Sequence, residues 1–341
     1  YPFQANTYGL PRNIVSDCVL GYFKARERQA AGLFSPPESF EDFIRQRMGD
    51  GIAEHFMLPY NTKMWTIPPS EMSYKWCGRF VPLPTPEEIV EGALTPSQAN
   101  RALGYNSRFF YPKKGGMGEL ANRLSKTLQP NLSFHSRATQ IDWKNKIVHL
   151  ENAQNYSYQR LISTIPLPQL VHTLIEAPQA VLDAVQHLRS TSVSYWNIGF
   201  KGAARADAPH WIYFPEPHIP FYRVGSPSAA VPSTAPPGYR SYYVETSHPT
   251  GTPNAIDDDT ILDGLGQVGL ASPQEEPDFI EQFTIPCAYV IMDHAYESNR
   301  AIILNWLKDQ AIWSIGRYGS WIYDSMEGSL LQGKQLAQRL N

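Results

Sequence analysis

The 341 residues carry 29 Lys and Arg against 32 Asp and Glu, a formal charge of −3, and 42% of them are hydrophobic. That apolar content excludes wholesale disorder, and the near-balanced charge lacks the basic footprint of a nucleic-acid binder. Only 18% of residues are charged and 29 are prolines, which predicts long ordered loops around an enzyme or ligand-binding core of about two domains.

The opening Tyr1-Pro2-Phe3-Gln4 has neither a basic stretch nor an apolar run, so no signal peptide is expected. From Asn13 to about Ala31, the pairs Ile14-Val15, Cys18-Val19 and Tyr22-Phe23 among Lys and Arg predict an amphipathic helix. Ser39 ahead of Glu41-Asp42 predicts a second helix start. That helix is expected to stop at Gly49-Asp50-Gly51, and a further one to carry Ala53 to Leu58. Pro59 then breaks it, leaving residues 59–65 as loop or extended chain. Thr85-Pro86-Glu87-Glu88 opens another helix, and Leu120, Leu124 and Leu128 repeat at helical spacing after Gly115-Gly116-Met117-Gly118. Short alternating runs at 132–134, 139–143, 147–150 and 160–165 predict a strand meander. Two helices follow, at about 168–175 and 179–188. Strands are expected at 192–200, 211–214, 221–224 and 239–245, then a helix at 256–265. An extended stretch at 283–291 precedes helices at 297–310 and 329–340. The order indicates an α/β or α+β fold with a large antiparallel sheet.

No stretch reaches the length of a membrane span, so no membrane partner is expected. Cys18, Cys77 and Cys287 form no CxxC pair, which predicts neither a disulfide framework nor a zinc ribbon and points to a reducing, cytoplasmic location. The nine histidines show no metal spacing, so no metal is expected, and no GxSxG or P-loop occurs. Gly264-Leu265-Gly266-Gln267-Val268-Gly269 matches GxGxxG, but an acidic helical run precedes it and Ala271-Ser272-Pro273 follows. A dinucleotide loop needs a strand before and a helix after, so this match reads as a helix end. Gly316-Arg317-Tyr318-Gly319 is different. An Arg between glycines, just ahead of a helix start, suits a diphosphate, because backbone approaches closely and the guanidinium bonds bidentately. An aromatic strand whose Arg pairs with a core carboxylate is the alternative.

Seven segments occur in order along the chain: Ser39-Phe40-Glu41-Asp42-Phe43-Ile44; Met48-Gly49-Asp50-Gly51-Ile52-Ala53; Phe56-Met57-Leu58-Pro59-Tyr60-Asn61-Thr62-Lys63-Met64-Trp65; Tyr111-Pro112 with Gly115-Gly116-Met117-Gly118; Ile162-Ser163-Thr164-Ile165-Pro166; Phe221-Tyr222-Arg223; and Gly316-Arg317-Tyr318-Gly319-Ser320-Trp321-Ile322-Tyr323. Together they resemble the UDP-galactopyranose mutase family, particularly its eukaryotic-type branch, within the flavin superfamily of amine oxidases and protoporphyrinogen oxidase. The resemblance implies a Rossmann-like FAD/NAD(P)-binding flavoprotein fold with an antiparallel substrate-domain sheet and a helical cap. It implies FAD as cofactor and a nucleotide sugar as substrate, converted between pyranose and furanose by reduced-flavin N5 covalent catalysis.

By the same resemblance, Gly316, Arg317, Tyr318, Met326, Glu327 and Ser329 border the cofactor. Arg223, Tyr289 and Tyr323 clamp the substrate diphosphate; Phe3, Gln4, Tyr60, Asn61 and Trp65 complete the substrate site. The implied division is a helical cap and substrate-side segment at 1–110 and a remaining FAD-domain part with the meander at 111–190. The antiparallel substrate sheet takes 191–295, and a C-terminal FAD-contacting segment takes 296–341. Three positions depart from the family pattern. Leu58 stands where the family has Arg, Ala230 or a neighbour replaces a Tyr, and Glu327-Gly328 replaces Asn-Gln. The family's N-terminal GxGxxG βαβ unit also has no counterpart in this sequence, so a preceding segment or a second chain is expected to supply it. Two other activities stay open: an amine-oxidase-type flavin oxidoreductase on a different small molecule, and a non-catalytic binding subunit.

Overall fold

A computed structural model of the chain describes residues 2–96, 110–205, 207–272 and 274–340. The first part is helical, with α1 (Arg12–Ala30), α2 (Phe40–Ile52), α3 (Leu58–Trp65), α4 (Pro86–Leu94) and α5 (Gly118–Leu128). Four short strands follow, β1 (Ala138–Asp142), β2 (Ile147–Leu150), β3 (Asn155–Ser157) and β4 (Leu161–Ser163), then α6 (Leu167–Thr173) and α7 (Gln179–Val185). Next come β5 (Ser190–Lys201), β6 (Trp211–Tyr213), β7 (Arg223–Gly225), α8 (Pro227–Ala230), β8 (Tyr239–Pro249), α9 (Asp258–Gln267) and β9 (Phe279–Val290). The chain closes with α10 (Tyr296–Asp309), β10 (Ile312–Ser314), α11 (Gly316–Gly319) and α12 (Met326–Leu340). It divides into two compact units, Tyr1–Leu120 with Thr191–Pro286 and Ala121–Ser190 with Cys287–Asn341.

In the first unit α1 and α2 cross where glycines leave no side chain between the backbones. A Cβ on Gly51 would stand 2.1 Å from the Asp17 carbonyl oxygen, and one on Gly49 2.2 Å from the Gly21 carbonyl carbon. Ser39 and Asp42 form the capping box that starts α2, each side chain bonding the other residue's backbone N–H. The expected stop at residues 49–51 is only a kink. Gly49 takes φ +82 within α2, and the chain runs on through a π-helical turn at Ala53–Met57 into α3. Pro59 lies in the first turn of α3, directly after the π-helical turn, and the chain stays helical on both sides of it. The segment read as loop is therefore helix.

The same unit holds a five-stranded sheet in the order β6-β7-β8-β5-β9, with β6–β7, β7–β8 and β8–β5 antiparallel. Strand alternation gives it two unlike faces. One buries Trp196, Ile198, Phe200, Val224 and Val244 against Ile261 and Leu265 of α9. The Trp196 indole N–H donates to Asp258 Oδ1 at 2.7 Å, which fixes the start of that helix. Gly264 and Gly266 lie in α9, and Gly269 follows at φ +70, so the GxGxxG match closes a helix.

In the second unit β1-β2-β3 form an antiparallel meander, but β4 leaves it and pairs in parallel with β10. Residues 132–134, expected as a strand, are not one. Trp143 meets Trp306 edge-on at 5.2 Å and donates its indole N–H to the Ile175 carbonyl, tying the meander to the helical layer. Among the described residues, no helix is long and apolar enough to cross a membrane, and no His/Cys/Asp/Glu cluster could hold a metal.

Candidate active site

The first unit builds a wall of rings from segments far apart in sequence. Phe3 lies in a short turn (Phe3–Ala5) docked on α4, where a Cβ on Gly92 would sit 2.1 Å from the Ala5 carbonyl oxygen. Buried Gln4 holds the turn by donating to the Pro82 carbonyl at 2.7 Å. Phe3 stacks on Phe56 at 4.6 Å, and Phe56 on Tyr60 at 5.2 Å, with both pairs within 7° of parallel. Tyr60 in turn meets Tyr213 and Tyr222 edge-on at 5.4 and 6.2 Å. Asn61 and Trp65 sit behind this wall. Asn61 donates to the Met57 carbonyl and accepts from the Trp65 indole N–H, and both residues are buried.

Lys63, quoted within a motif but given no role by sequence reasoning, ties α3 to the β6–β7 connection. Its Nζ donates toward the carbonyls of Phe214, Glu216, Ile219 and Phe221 at 2.7–2.9 Å. Burial pushes this ammonium down to about 8, opposed by the charge of Glu216. The clamp holds Tyr60 against Tyr213 and Tyr222, which flank that connection.

Opposite its core face, the sheet presents an aromatic surface. Tyr213, Arg223, Glu245 and Tyr195 occupy one row across β6, β7, β8 and β5, and Trp211, Gly225, Tyr243 and Asn197 the next. Trp211 lies on Gly225, where a Cβ would come within 2.5 Å of the indole ring. Tyr195 packs between Tyr243 and Phe283 at 4.8 and 5.3 Å. Arg223 lies over Trp211 and Tyr222 at 5.0 and 5.6 Å and pairs with buried Glu245 through two hydrogen bonds, Nε to Oε2 and Nη2 to Oε1. The face continues into a groove of about 500 Å³ lined by Asn197, Gly199, Pro227, Ser241 and Phe279. Trp211, Tyr213 and Glu245 were missed by sequence reasoning; strand alternation would have placed them on the Arg223 face.

In the second unit the parallel β4–β10 pair ends at a glycine turn. Gly316 takes φ +79 with open space where a Cβ would be. Its N–H bonds Gln332 Oε1, while the Arg317 N–H bonds Ser329 Oγ. Gln332 also donates to Asp324 Oδ2, so the head of α12 is organised around that amide. Arg317 donates to the carbonyls of Asp324 and Ala288 at 3.1 Å and is flanked by Tyr323, Tyr289 and Tyr318 at 5.0, 5.2 and 5.7 Å. Its Nε is buried without a hydrogen-bond partner, and it forms no ion pair among the described residues. Burial raises the Tyr318 hydroxyl, partly offset by Arg317. Met326 and Glu327 are exposed at the first turn of α12.

The residues expected to border substrate thus fall into two groups. Phe3, Gln4, Tyr60, Asn61, Trp65 and Arg223 lie in the first unit, and Tyr289 and Tyr323 lie beside Arg317 in the second. A half-buried arginine with one buried, orphaned N–H, beside a glycine open to close approach, suits an anionic diphosphate. The donor set therefore fits the diphosphate end of a flavin dinucleotide.

The model of the flavin containing amine oxidoreductase family matches residues 22–265, well over half the chain. A crystal structure of reduced UDP-galactopyranose mutase superposes with a TM-score of 0.90 at 26% identity, covering 100% of this chain and 74% of that one. Putrescine oxidase, in a redesigned double mutant, superposes at a TM-score of 0.62 with 13% identity, covering 98% of this chain and 77% of that one. An oxidoreductase from Methanosarcina mazei gives a TM-score of 0.57 at 12% identity, with 96% and 74% covered; the last two likenesses concern fold alone. The chain belongs to the flavin containing amine oxidoreductase family and is a flavin-dependent enzyme of its UDP-galactopyranose mutase-like kind.

Proposed function

We propose that the protein is an FAD-dependent mutase that interconverts the pyranose and furanose forms of a nucleotide sugar. The observation that carries the reading is Arg317, half-buried with an orphaned Nε, unpaired with any described carboxylate and held between tyrosines, in a chain whose whole length superposes on the mutase. Arg317, Gly316 and Tyr318, with Ser329, Met326 and Glu327 at the head of α12, would hold FAD. When bound in its reduced form, FAD would supply N5 as the nucleophile toward the anomeric carbon.

The chain's own residues would then bind and orient. Tyr289 and Tyr323 brace Arg317 through their ring faces. The Phe3–Phe56–Tyr60 stack supports a flat wall for the nucleotide base, and Gln4, Asn61 and Trp65 stiffen it from behind. Arg223 offers a guanidinium toward phosphate on the sheet face. The buried cysteines Cys18 and Cys77, free of disulfides, support a reducing, cytoplasmic setting. The test is reduced protein with UDP-galactose: the ring-contracted isomer should form, and failure of the protein to bind UDP or any UDP-sugar refutes the reading.

One observation favours a second activity. Glu245 offsets the charge of Arg223, and Leu58 brings no charge of its own, so the first unit can suit a substrate without a diphosphate. An amine-oxidase-type reaction would consume oxygen or another acceptor in step with turnover, whereas the mutase cycle would consume none.

A further inference from the structure

Two arginines of this enzyme stand in opposite electrostatic states. Arg317 has a buried, unpartnered Nε and forms no ion pair among the described residues. Arg223 lies directly opposite Glu245 in the β7–β8 register, and Glu245 is only 4% exposed. The carboxylate takes the Nε–Nη2 edge of the guanidinium, with Nη2–Oε1 at 2.7 Å. That edge is one of those by which an Arg grips a phosphate bidentately. Around the pair the face is aromatic, with Trp211 45% exposed and Phe283 38% exposed.

We infer that Glu245 is a specificity-determining residue that loosens the grip on substrate phosphate: it neutralises Arg223, so the sheet face selects its ligand by ring stacking and releases the nucleotide readily. This rests on the nucleotide-sugar reading above. The guanidinium of Arg317, with no carboxylate to offset its charge among the described residues, suits a diphosphate that stays through every turnover, whereas the paired guanidinium of Arg223 suits one that must leave each time. A low-dielectric, ring-lined setting makes the offset large, because an added carboxylate there repels a phosphate far more than it would in water.

The experiment titrates the full chain with UDP and with uridine by calorimetry, in wild type, Glu245→Gln, and the double variant Glu245→Gln with Arg223→Met. Glu245→Gln keeps the side chain's shape and removes its charge. It should bind UDP about tenfold tighter than wild type, with uridine affinity within about twofold, because only the phosphates feel the freed charge. The double variant should lose that gain. Unchanged or weaker UDP binding in Glu245→Gln, equal tightening toward uridine, or a gain that persists in the double variant overturns the inference.

Wild type supplies a measurement that does not depend on any variant folding. Its UDP affinity should fall by no more than about twofold between roughly 50 and 200 mM salt, as a net-neutral pair requires, and a steep fall overturns the inference. A wild type that binds uridine and UDP at all, yet fails these criteria, refutes the role of Glu245 and leaves the nucleotide-sugar reading standing. A wild type that binds neither refutes both.

Discussion

Replacing Lys63 with Met withdraws one ammonium from four backbone carbonyls. Three N–H donors serve those acceptors, and hydrogen bonds to a charged group are worth about 1.5–3 kcal/mol each. Against this stands the cost of burying the charge, which moves Lys63 from its ordinary 10.5 to about 8; a shift of that size corresponds to roughly 3 kcal/mol. The difference predicts that Lys63→Met destabilises the first unit by on the order of 3 kcal/mol at pH 7.

The pH dependence has a definite sign. The folded value lies below the unfolded one, so between pH 8 and 10.5 the unfolded chain binds a proton that the native state has shed. Stability from this group therefore rises with pH across that window, by up to about 3 kcal/mol, and Lys63→Met lacks the rise. Urea unfolding of both proteins, followed by tryptophan fluorescence at several pH values, gives the difference curve. A variant within about 0.5 kcal/mol of wild type at pH 7 refutes the clamp, and a difference flat from pH 8 to 10.5 refutes the burial shift of Lys63.

Arg317→Met should lower the flavin-to-protein ratio at least about tenfold, read from visible absorbance, with the far-ultraviolet circular dichroism unchanged. An unchanged ratio removes Arg317 from the cofactor set. Gly92→Ala places a methyl 2.1 Å from the Ala5 carbonyl oxygen. It should displace the turn that carries Phe3, cost about 1–3 kcal/mol, and weaken uridine binding more than Gly333→Ala, where a Cβ meets open space. Gly225→Ala drives a Cβ into the Trp211 ring, so it should expel the indole, shift its fluorescence to the red and cost about 1–3 kcal/mol. An unshifted spectrum means that Trp211 does not rest on β7.

Much of the architecture was legible because local chemistry and tertiary context agree there. Ser39 and Thr85 each announced a helix start, and each forms a capping box in the structure. The run at 192–200 announced the strand β5, whose Trp196, Ile198 and Phe200 fill the core. Reading failed where partners come from far along the chain. The 160–165 run looked like a fourth meander strand, but β10, about 150 residues later, supplies its hydrogen bonds in parallel. Pro59 looked like a break because the π-helical turn ahead of it leaves no local signature. At the site, the glycine-flanked Arg317 could be read from its neighbours, since turn and helix start lie within a dozen residues. The pairing of Arg223 with Glu245 could not, because it depends on register between strands 22 residues apart.

The π-helical turn at Ala53–Met57 contains one residue more than an ordinary helical turn needs, with the Leu58 N–H reaching back to the Ala53 carbonyl. Each residue advances a helix by about 100°, so that surplus residue sets the azimuth of everything after it. Deleting it would leave a continuous, unstrained helix and yet swing Tyr60 out of the ring stack and Lys63 away from its carbonyls. The ring wall is therefore more sensitive to a single-residue deletion in this stretch than to most substitutions there, and a relative shortened by one residue at this place would need a different wall.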